Sequence, residues 1–408
     1  MKMKVLVLNC GSSSLKYQLL DMRSEDDYEL KAKGLVERIG MDMSVLTHRK
    51  TGADKYVVEM PITDHKVAIS CVFKELLDGN HGVISSVKEI EAVGHRVAHG
   101  GEFFTDSVLV DADAEKKIEA CCEIAPLHNP ANLLGIRAVA ELLPGIPQVA
   151  AFDTSFHSTM PDYAYLYALP YEYYEKYKVR RYGFHGTSHK YVAEKACRML
   201  GRRMEDLKII TCHLGNGSSI TAIQNGKSID TSMGFTPLEG LIMGTRSGNV
   251  DPGAVAYIQE KEGMTASEMN TVLNKKSGFL GLSGISSDCR DLTDAADAGN
   301  ERAKLVLKKL AYDIMKYIGA YSAVMDGVDL VIFTGGIGEN NRSMRRVVCE
   351  HLDFLGVEFD YEANDRVSGE DVILTKPGAK TVVMALTTNE ELVIARDTMR
   401  LAGGIKNN

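Results

Sequence analysis

An apolar, β-branched run that ends in a glycine–serine turn and continues into a second apolar run occurs twice in this chain. Lys208–Ser219 reads Lys-Ile-Ile-Thr-Cys-His-Leu-Gly-Asn-Gly-Ser-Ser, with Ile209, Ile210 and Thr211 placed as in a buried strand. A second strand, 220–224, follows, and Asn225-Gly226 signals a hairpin. Near the start, Val5-Leu6-Val7-Leu8 runs into Asn9-Cys10-Gly11-Ser12-Ser13-Ser14 and then Lys16-Tyr17-Gln18-Leu19-Leu20. Gly11-Ser12-Ser13 matches Gly217-Ser218-Ser219, about half a chain away.

Two such units predict an internal duplication, with two similar domains facing each other across a nucleotide. Glycine fits that role because backbone N–H groups approach a phosphate closely where no Cβ intervenes. The competing interpretation is two ordinary hairpins. The 408 residues suffice for two domains, each with its own core. A net charge of −8 argues against a nucleic-acid or membrane surface, so an anionic substrate needs local positive charge. No apolar run approaches the roughly 20 residues of a membrane span. The start of the chain leads straight into a strand without a secretory pattern. The eight cysteines, Cys121-Cys122 among them, lack metal spacing. They are expected as reduced thiols of a cytoplasmic protein. No long linker separates the expected domains.

Residues 27–60 read as short strands, and Asp64–Leu77 as a helix with Val67, Ala68, Cys71, Val72 and Leu76 on one side. His95-Arg96-Val97-Ala98-His99-Gly100-Gly101 makes a polar strand end; Arg96 there is either a surface ion pair or a bidentate anion clamp. In His128-Asn129-Pro130, Asn129 suits an N-cap and Pro130 the first helical position of a helix to about Leu143. Gln148–Phe152 reads as a strand ending at Asp153, where α/β proteins place ligands or a turn-capping Asp. The tyrosine-rich stretch Tyr163–Tyr177 reads as packing or a subunit contact.

Tyr182–His189 places His185 on a loop before a helix, as a phosphoryl donor or a structural contact. The glycine-rich run Thr231–Asp251 is too long for a casual turn and offers Arg246 as a second clamp. Asn300–Met325 reads as one buried helix with Leu305, Leu307, Leu310, Ile314 and Ile318 near one face. Val328–Phe333 is a strand running into a third glycine loop, Thr334–Asn340, which lacks the Gly-Lys-Ser/Thr of a Walker loop. In Thr388-Asn389-Glu390-Glu391, Thr388 and Glu391 form a capping-box pattern, leaving Glu390 to face solvent or a metal.

With these residues laid out, the chain resembles the acetate kinases over essentially its whole length. The resemblance rests on Asn9–Lys16, Gly94-His95-Arg96 through His99-Gly100-Gly101, Tyr182–His189, residues 213–219, Met243–Gly248 and Thr388–Glu391. It implies an α/β chain of two duplicated ribonuclease-H-like, actin-like ATPase domains with a nucleotide cleft between them. The expected bounds are 1–153 plus 390–408, and 154–389. It further implies reversible, direct in-line transfer of the ATP γ-phosphoryl to acetate, giving acetyl phosphate and ADP, with Mg²⁺ or alternatively Mn²⁺, by a homodimer.

By the same resemblance Arg96, Arg246, His185 and Asp153 are the catalytic residues, and Arg96 with Ala98, Leu127, Phe184 and Pro237 binds the acyl substrate. Asn9 and Glu390 match the metal positions. Lys16, Ser12, Ser14, His213, Leu214, Gly215, Asn216, Gly217, Asp288, Cys289, Arg290, Gly336, Ile337, Gly338, Glu339 and Asn340 match the ATP segments. Ala98 stands where valine is common, which makes propionate an alternative substrate. Cys289 replaces a bulkier residue beside the base, which loosens expected base specificity. A chaperone-like ATPase needs no second anion clamp, and a polyol kinase needs more polar substrate contacts than Ala98, Leu127, Phe184 and Pro237 offer.

Overall fold

The first strand, β1 (Met3–Cys10), pairs antiparallel with β2 (Ser14–Met22) through the short Gly11–Ser13 turn, and parallel with β6 (Ala92–Val97). The computed structural model describes residues 2–406. The chain forms two compact units. The first runs to Ser155 and resumes at Asn389; the second is Phe156–Thr388.

The first unit holds an eight-stranded sheet in the order β5-β4-β3-β2-β1-β6-β8-β7. Its remaining strands are β3 (Tyr28–Glu37), β4 (Ser44–Lys50), β5 (Tyr56–Met60), β7 (Val108–Leu109) and β8 (Gln148–Phe152). Both faces of β1 are covered, so Val5, Leu6, Val7 and Leu8 are all buried. The helix Glu390–Lys406 packs on β1, β6 and β8. It comes so close at Gly94 that a Cβ there would lie 2.6 Å from Ile394 Cγ2. That approach sets the first turn of the helix, and Glu390 with it, at the sheet's site end.

The second unit holds a six-stranded sheet in the order β11-β10-β9-β12-β14-β13. Its strands are β9 (Lys208–Leu214), β10 (Ser218–Gln224), β11 (Lys227–Thr231), β12 (Leu330–Thr334), β13 (Val372–Ile373) and β14 (Val382–Ala385). Asn225 and Gly226 both take positive φ, 52° and 73°, as the Asn-Gly hairpin requires. The central strands repeat across the two sheets. In each, three antiparallel strands (β3-β2-β1 and β11-β10-β9) lead to two parallel ones (β6-β8 and β12-β14). The duplication read from the two glycine–serine turns is present in the topology.

Three local expectations fail for identifiable reasons. Leu305 is 51% exposed on the Glu301–Val324 helix, whose buried face carries Leu310, Ile314 and Ile318. His128, not Asn129, takes the N-cap position of the Asn129–Leu142 helix, without a side-chain cap bond; the Asn129 amide is committed to the main chain of His99, 3.0 and 2.9 Å away. Asn389, not Thr388, accepts from Leu392 N (3.1 Å), since the Thr388 hydroxyl bonds Ser188.

His95, on β6, carries a stability prediction. It is 2% exposed, its Nε2 meets Gln148 Oε1 at 2.7 Å, and burial pushes its pKa down to about 4. Between that value and the ordinary 6.5 of an exposed histidine, the unfolded chain binds a proton that the folded chain does not. The associated stability, on the order of 3 kcal/mol, is therefore complete above pH 6.5 and is lost as pH falls toward 4. Urea midpoints taken at intervals over that range should fall for the parent chain and fall less for His95→Gln. Parallel curves would assign the acid limb to other groups.

Candidate active site

In the first unit the sheet register sets three side chains at one end of adjacent strands. Asn9 and Arg96 are the next-to-last residues of β1 and β6, and Asp153 follows β8. Arg96 grips Asp153 with two bonds, Nε to Oδ1 at 2.9 Å and Nη2 to Oδ2 at 2.5 Å, and its Nη1 donates to Asn9 Oδ1 at 3.3 Å. Burial opposes the Arg96 charge, but Asp153, with Glu390 and Glu391 beyond it, outweighs that effect and raises its pKa.

Glu390, the first residue of its helix, is pushed up to about 7 by burial. Arg96 and Lys16 pull it down, and Asp153 and Glu391 push it up. Asn9, Arg96, Asp153 and Glu390 thus form one cluster, with exposed Lys16 opposite Asn9 across β1 and β2. Ser12 is exposed and Ser14 half-buried in the turn that Gly11 N closes on Ser14 O at 2.8 Å. Ala98 is buried at 4% exposure, whereas Leu127 is 54% exposed.

Sequence reasoning passed over Asn132, which is 4% exposed. Its Oδ1 accepts from Ala98 N at 3.0 Å and its Nδ2 donates to Cys10 O at 2.7 Å. One amide thereby fixes the ends of both β1 and β6. The available signal was Asn129 and Asn132, three apart on the buried face of an apolar helix.

In the second unit, His185 takes a left-handed conformation (φ 57°, ψ 22°) at the start of the Gly186–Leu200 helix. Strained non-glycine backbone of this kind concentrates at functional positions. His185 stacks on His213 with ring centroids 4.3 Å apart. A Cβ on Gly217 would stand 3.3 Å from Arg246 Nη1 and 3.5 Å from His185 Cε1, so both side chains border the glycine loop. Arg246 donates to Pro237 O at 3.3 Å, and burial lowers its pKa. Among the described residues no carboxylate pairs with it. Phe184 is buried against Met233 and Met243.

Beside this loop lies a pocket of about 990 Å³ lined by Gly215, Asn216, Asp288, Cys289, Arg290, Gly336, Ile337 and Asn340. Asp288 caps the Cys289–Asp297 helix and holds Arg290 at 2.6 Å. Such a wall, with the exposed amides of Asn216 and Asn340 beside the Asp288–Arg290 pair, suits a nucleoside, and Arg246 suits an anion.

The sequence matches the Acetokinase family over residues 4–396. The chain belongs to the acetokinase family. This acetokinase is 58% identical to the acetate kinase of Thermoanaerobacter pseudethanolicus, over 99% of the chain and 100% of that protein. Its identity to the acetate kinase of Acetivibrio thermocellus is 56%, over 98% and 99%. The crystal structure of Porphyromonas gingivalis acetate kinase superposes with a TM-score of 0.94 at 49% identity, covering 98% of this chain and 99% of that one. A propionate kinase from Francisella tularensis superposes with a TM-score of 0.90 at 41% identity, covering 98% and 100%. The acetokinase fold here is the two-domain, actin-like ATPase fold of duplicated ribonuclease-H-like units. Among the described residues no helix is long and apolar enough to cross a membrane.

Several expected ATP contacts of this acetokinase lie away from the pocket wall. Leu214 is fully buried in the core. The residues after β12 form a short helix, Gly335–Asn340, rather than a loop, so one face of it, with Gly335, Ile337 and Gly338, is buried. Glu339 accepts from Gly335 N at 3.0 Å and Thr388 N at 3.1 Å, and Gly338 packs on the main chain of Phe333. His213 and Gly217 border His185 rather than the wall. Thr293, Asp294, Asn341, Arg342, Ser343 and Ser368 line the pocket and had no sequence signal as polar residues on helices or loops.

Proposed function

We propose that this chain is an acetate kinase. A carboxylate oxygen of acetate attacks the γ-phosphorus of ATP, the bond to the bridging oxygen breaks, and the electron pair leaves on ADP. Acetyl phosphate is the other product, and no phosphoenzyme intervenes. The observation that carries this reading is Arg246, a half-buried guanidinium without a carboxylate partner among the described residues, beside the glycine loop of a nucleoside-sized pocket. A resting site that keeps a cation unneutralised is prepared for a phosphoryl group.

The first unit contributes the acyl and metal side. Arg96 receives the carboxylate or acyl phosphate, and Asp153 fixes its guanidinium plane through two bonds. Glu390 and Asn9 are hard oxygen donors, and the Glu390 charge is one that burial and the neighbouring Asp153 and Glu391 disfavour. A divalent cation relieves that cost, so the donor set fits Mg²⁺, which keeps most of its own water. When bound, Mg²⁺ neutralises phosphate charge. The chain's own residues align the two anions and exclude water. The domains proposed are an N-terminal one of 1–153 plus the helix-bearing 390–408, and a nucleotide-binding one of 154–389, each bound within two residues of the edges of the compact units.

Ala98 stands at the acyl methyl, and its short side chain is the feature that favours a second acid. In a coupled assay with ATP and Mg²⁺, acetate should be used best, propionate measurably and butyrate least. Ala98→Val should lower kcat/KM for propionate by roughly tenfold and that for acetate less, since one methylene is worth about 1–3 kcal/mol of discrimination. An unchanged ratio would remove Ala98 from the pocket. The eight free cysteines support work in the reducing cytoplasm. Exposed Tyr163 (84%) and Tyr171 (58%) support a homodimer, which a monomeric mass in solution would refute.

A further inference from the structure

Behind His185 runs a line of hydrogen bonds that no step of the proposed reaction uses directly. His185 Nδ1 meets Ser219 Oγ at 2.9 Å. The same Oγ meets His189 Nε2 at 2.7 Å, and His189 Nδ1 meets Thr211 Oγ1 at 2.6 Å. Ser219, His189 and Thr211 are each 0% exposed. The sequence brings them together simply. His189 stands four residues after His185 on the Gly186–Leu200 helix, Thr211 lies on β9, and Ser219 lies on β10.

The protons in this line can run continuously in two directions, because each hydroxyl has one hydrogen and a neutral imidazole has one; were Ser219 Oγ instead to accept from both rings, its own hydrogen would be left over in a fully buried position with no other partner among the described residues. Burial, with His157 and His213 nearby, holds the His189 pKa far below the ordinary histidine range, so His189 carries a single ring proton. Suppose first that His185 Nδ1 donates to Ser219. Ser219 must then donate to His189 Nε2, and His189 Nδ1 to Thr211. The Thr211 hydroxyl hydrogen is left over in a fully buried position, and among the described residues its oxygen has no other partner. An orphaned buried donor costs its full desolvation.

In the opposite direction every hydrogen finds an acceptor. Thr211 donates to His189 Nδ1, His189 Nε2–H donates to Ser219 Oγ, and Ser219 O–H donates to His185 Nδ1. We infer that Thr211, His189 and Ser219 are positioning residues that lock His185 as the neutral Nε2–H tautomer, so that it presents a hydrogen-bond donor to the transferring phosphoryl group. The tautomer follows from the geometry of the line alone; its use in catalysis rests on the kinase reading above.

The experiment is a long-range nitrogen–proton NMR spectrum of the full chain with ¹⁵N-labelled histidine. Cross-peaks that vanish in His185→Gln and His189→Gln assign the two rings. The expected result is protonated Nε2 and bare Nδ1 in both. A proton on Nδ1 of either ring overturns the proposal, whatever the activity of the enzyme.

The catalytic consequence has its own readout. Ser219→Ala removes the hydroxyl that donates to His185 and should lower kcat roughly tenfold or more, with KM for ATP unchanged, by analogy with other tautomer-setting partners. Ser219→Thr keeps the hydroxyl and should restore kcat. A variant pair with equal kcat would leave the hydroxyl without a role and overturn it. If neither variant folds, the wild-type spectrum still decides the tautomer. Absence of any acetate-dependent ADP release by the wild type would defeat the kinase reading instead, and the spectrum would stand apart from it.

Discussion

Arg246→Ala should lower kcat by about 10³-fold or more while leaving thermal stability unchanged. The magnitude is that of a guanidinium removed from a transferring phosphoryl group. The stability result follows from the resting surroundings of Arg246. Burial lowers its pKa, and among the described residues it has only the weak bonds to Pro237 O at 3.3 Å and Met243 Sδ at 3.8 Å. A half-buried cation without a counter-charge contributes little to folding, so deleting it leaves the melting curve in place or moves it upward. Arg246→Lys should recover little of the rate, because an ammonium cannot present two parallel donors. Initial rates with saturating ATP and acetate, beside a thermal melt, check both halves. A variant that retains a tenth of the parent kcat would take Arg246 out of the transfer.

Arg96→Ala should fail on both counts. Its two bonds to Asp153 are the ones that neutralise a carboxylate only 1% exposed. Removing the arginine leaves that charge buried and unpaired, a loss of 3–5 kcal/mol for a fully buried pair. The Arg96 side chain is 25% exposed, so about 2 kcal/mol is the better expectation here. The rate should also fall by about 10²-fold or more, for loss of the anion clamp. Adding Asp153→Asn should restore most of the stability and none of the rate. A single variant as stable as the parent would mean that Asp153 finds another partner. A double variant that regains activity would mean that Arg96 serves only the pair. From sequence alone Arg96 is either a surface ion pair or an anion clamp; the two bonds to buried Asp153 add a stability cost to its removal.

The contrast between the two arginines shows how far residues in a line can be read. Strand ends were legible because β-branched runs stop at glycine and polar residues, and the end of a strand is where the sheet leaves a side chain uncovered. Arg96 and Asp153 were found that way, as was the repeat that the two sheets share; Asn9 came from the family resemblance. Which arginine carries a counter-charge was not legible, because Arg96 and Asp153 are 57 residues apart and meet only through the β6–β8 register. Asn132 was missed for a related reason, and Thr211, though placed in a buried strand, could not be given its partner His189. A buried polar side chain inside an apolar pattern looks like an ordinary surface residue until its partner strands are placed. Glu339 was misread because Thr334–Asn340 is glycine-rich and suggested a loop. The main chain coils into a helical turn there, which sends the carboxylate inward to Gly335 and Thr388.

Release of ADP from Mg²⁺-ATP, followed with and without acetate while hydroxylamine traps any acyl phosphate, tests the central claim most directly. Phosphoryl transfer to a carboxylate predicts that ADP appears only when acetate is present, one trapped acyl group for each ADP. The same rate of ADP release with acetate left out, and no acyl hydroxamate, would contradict it.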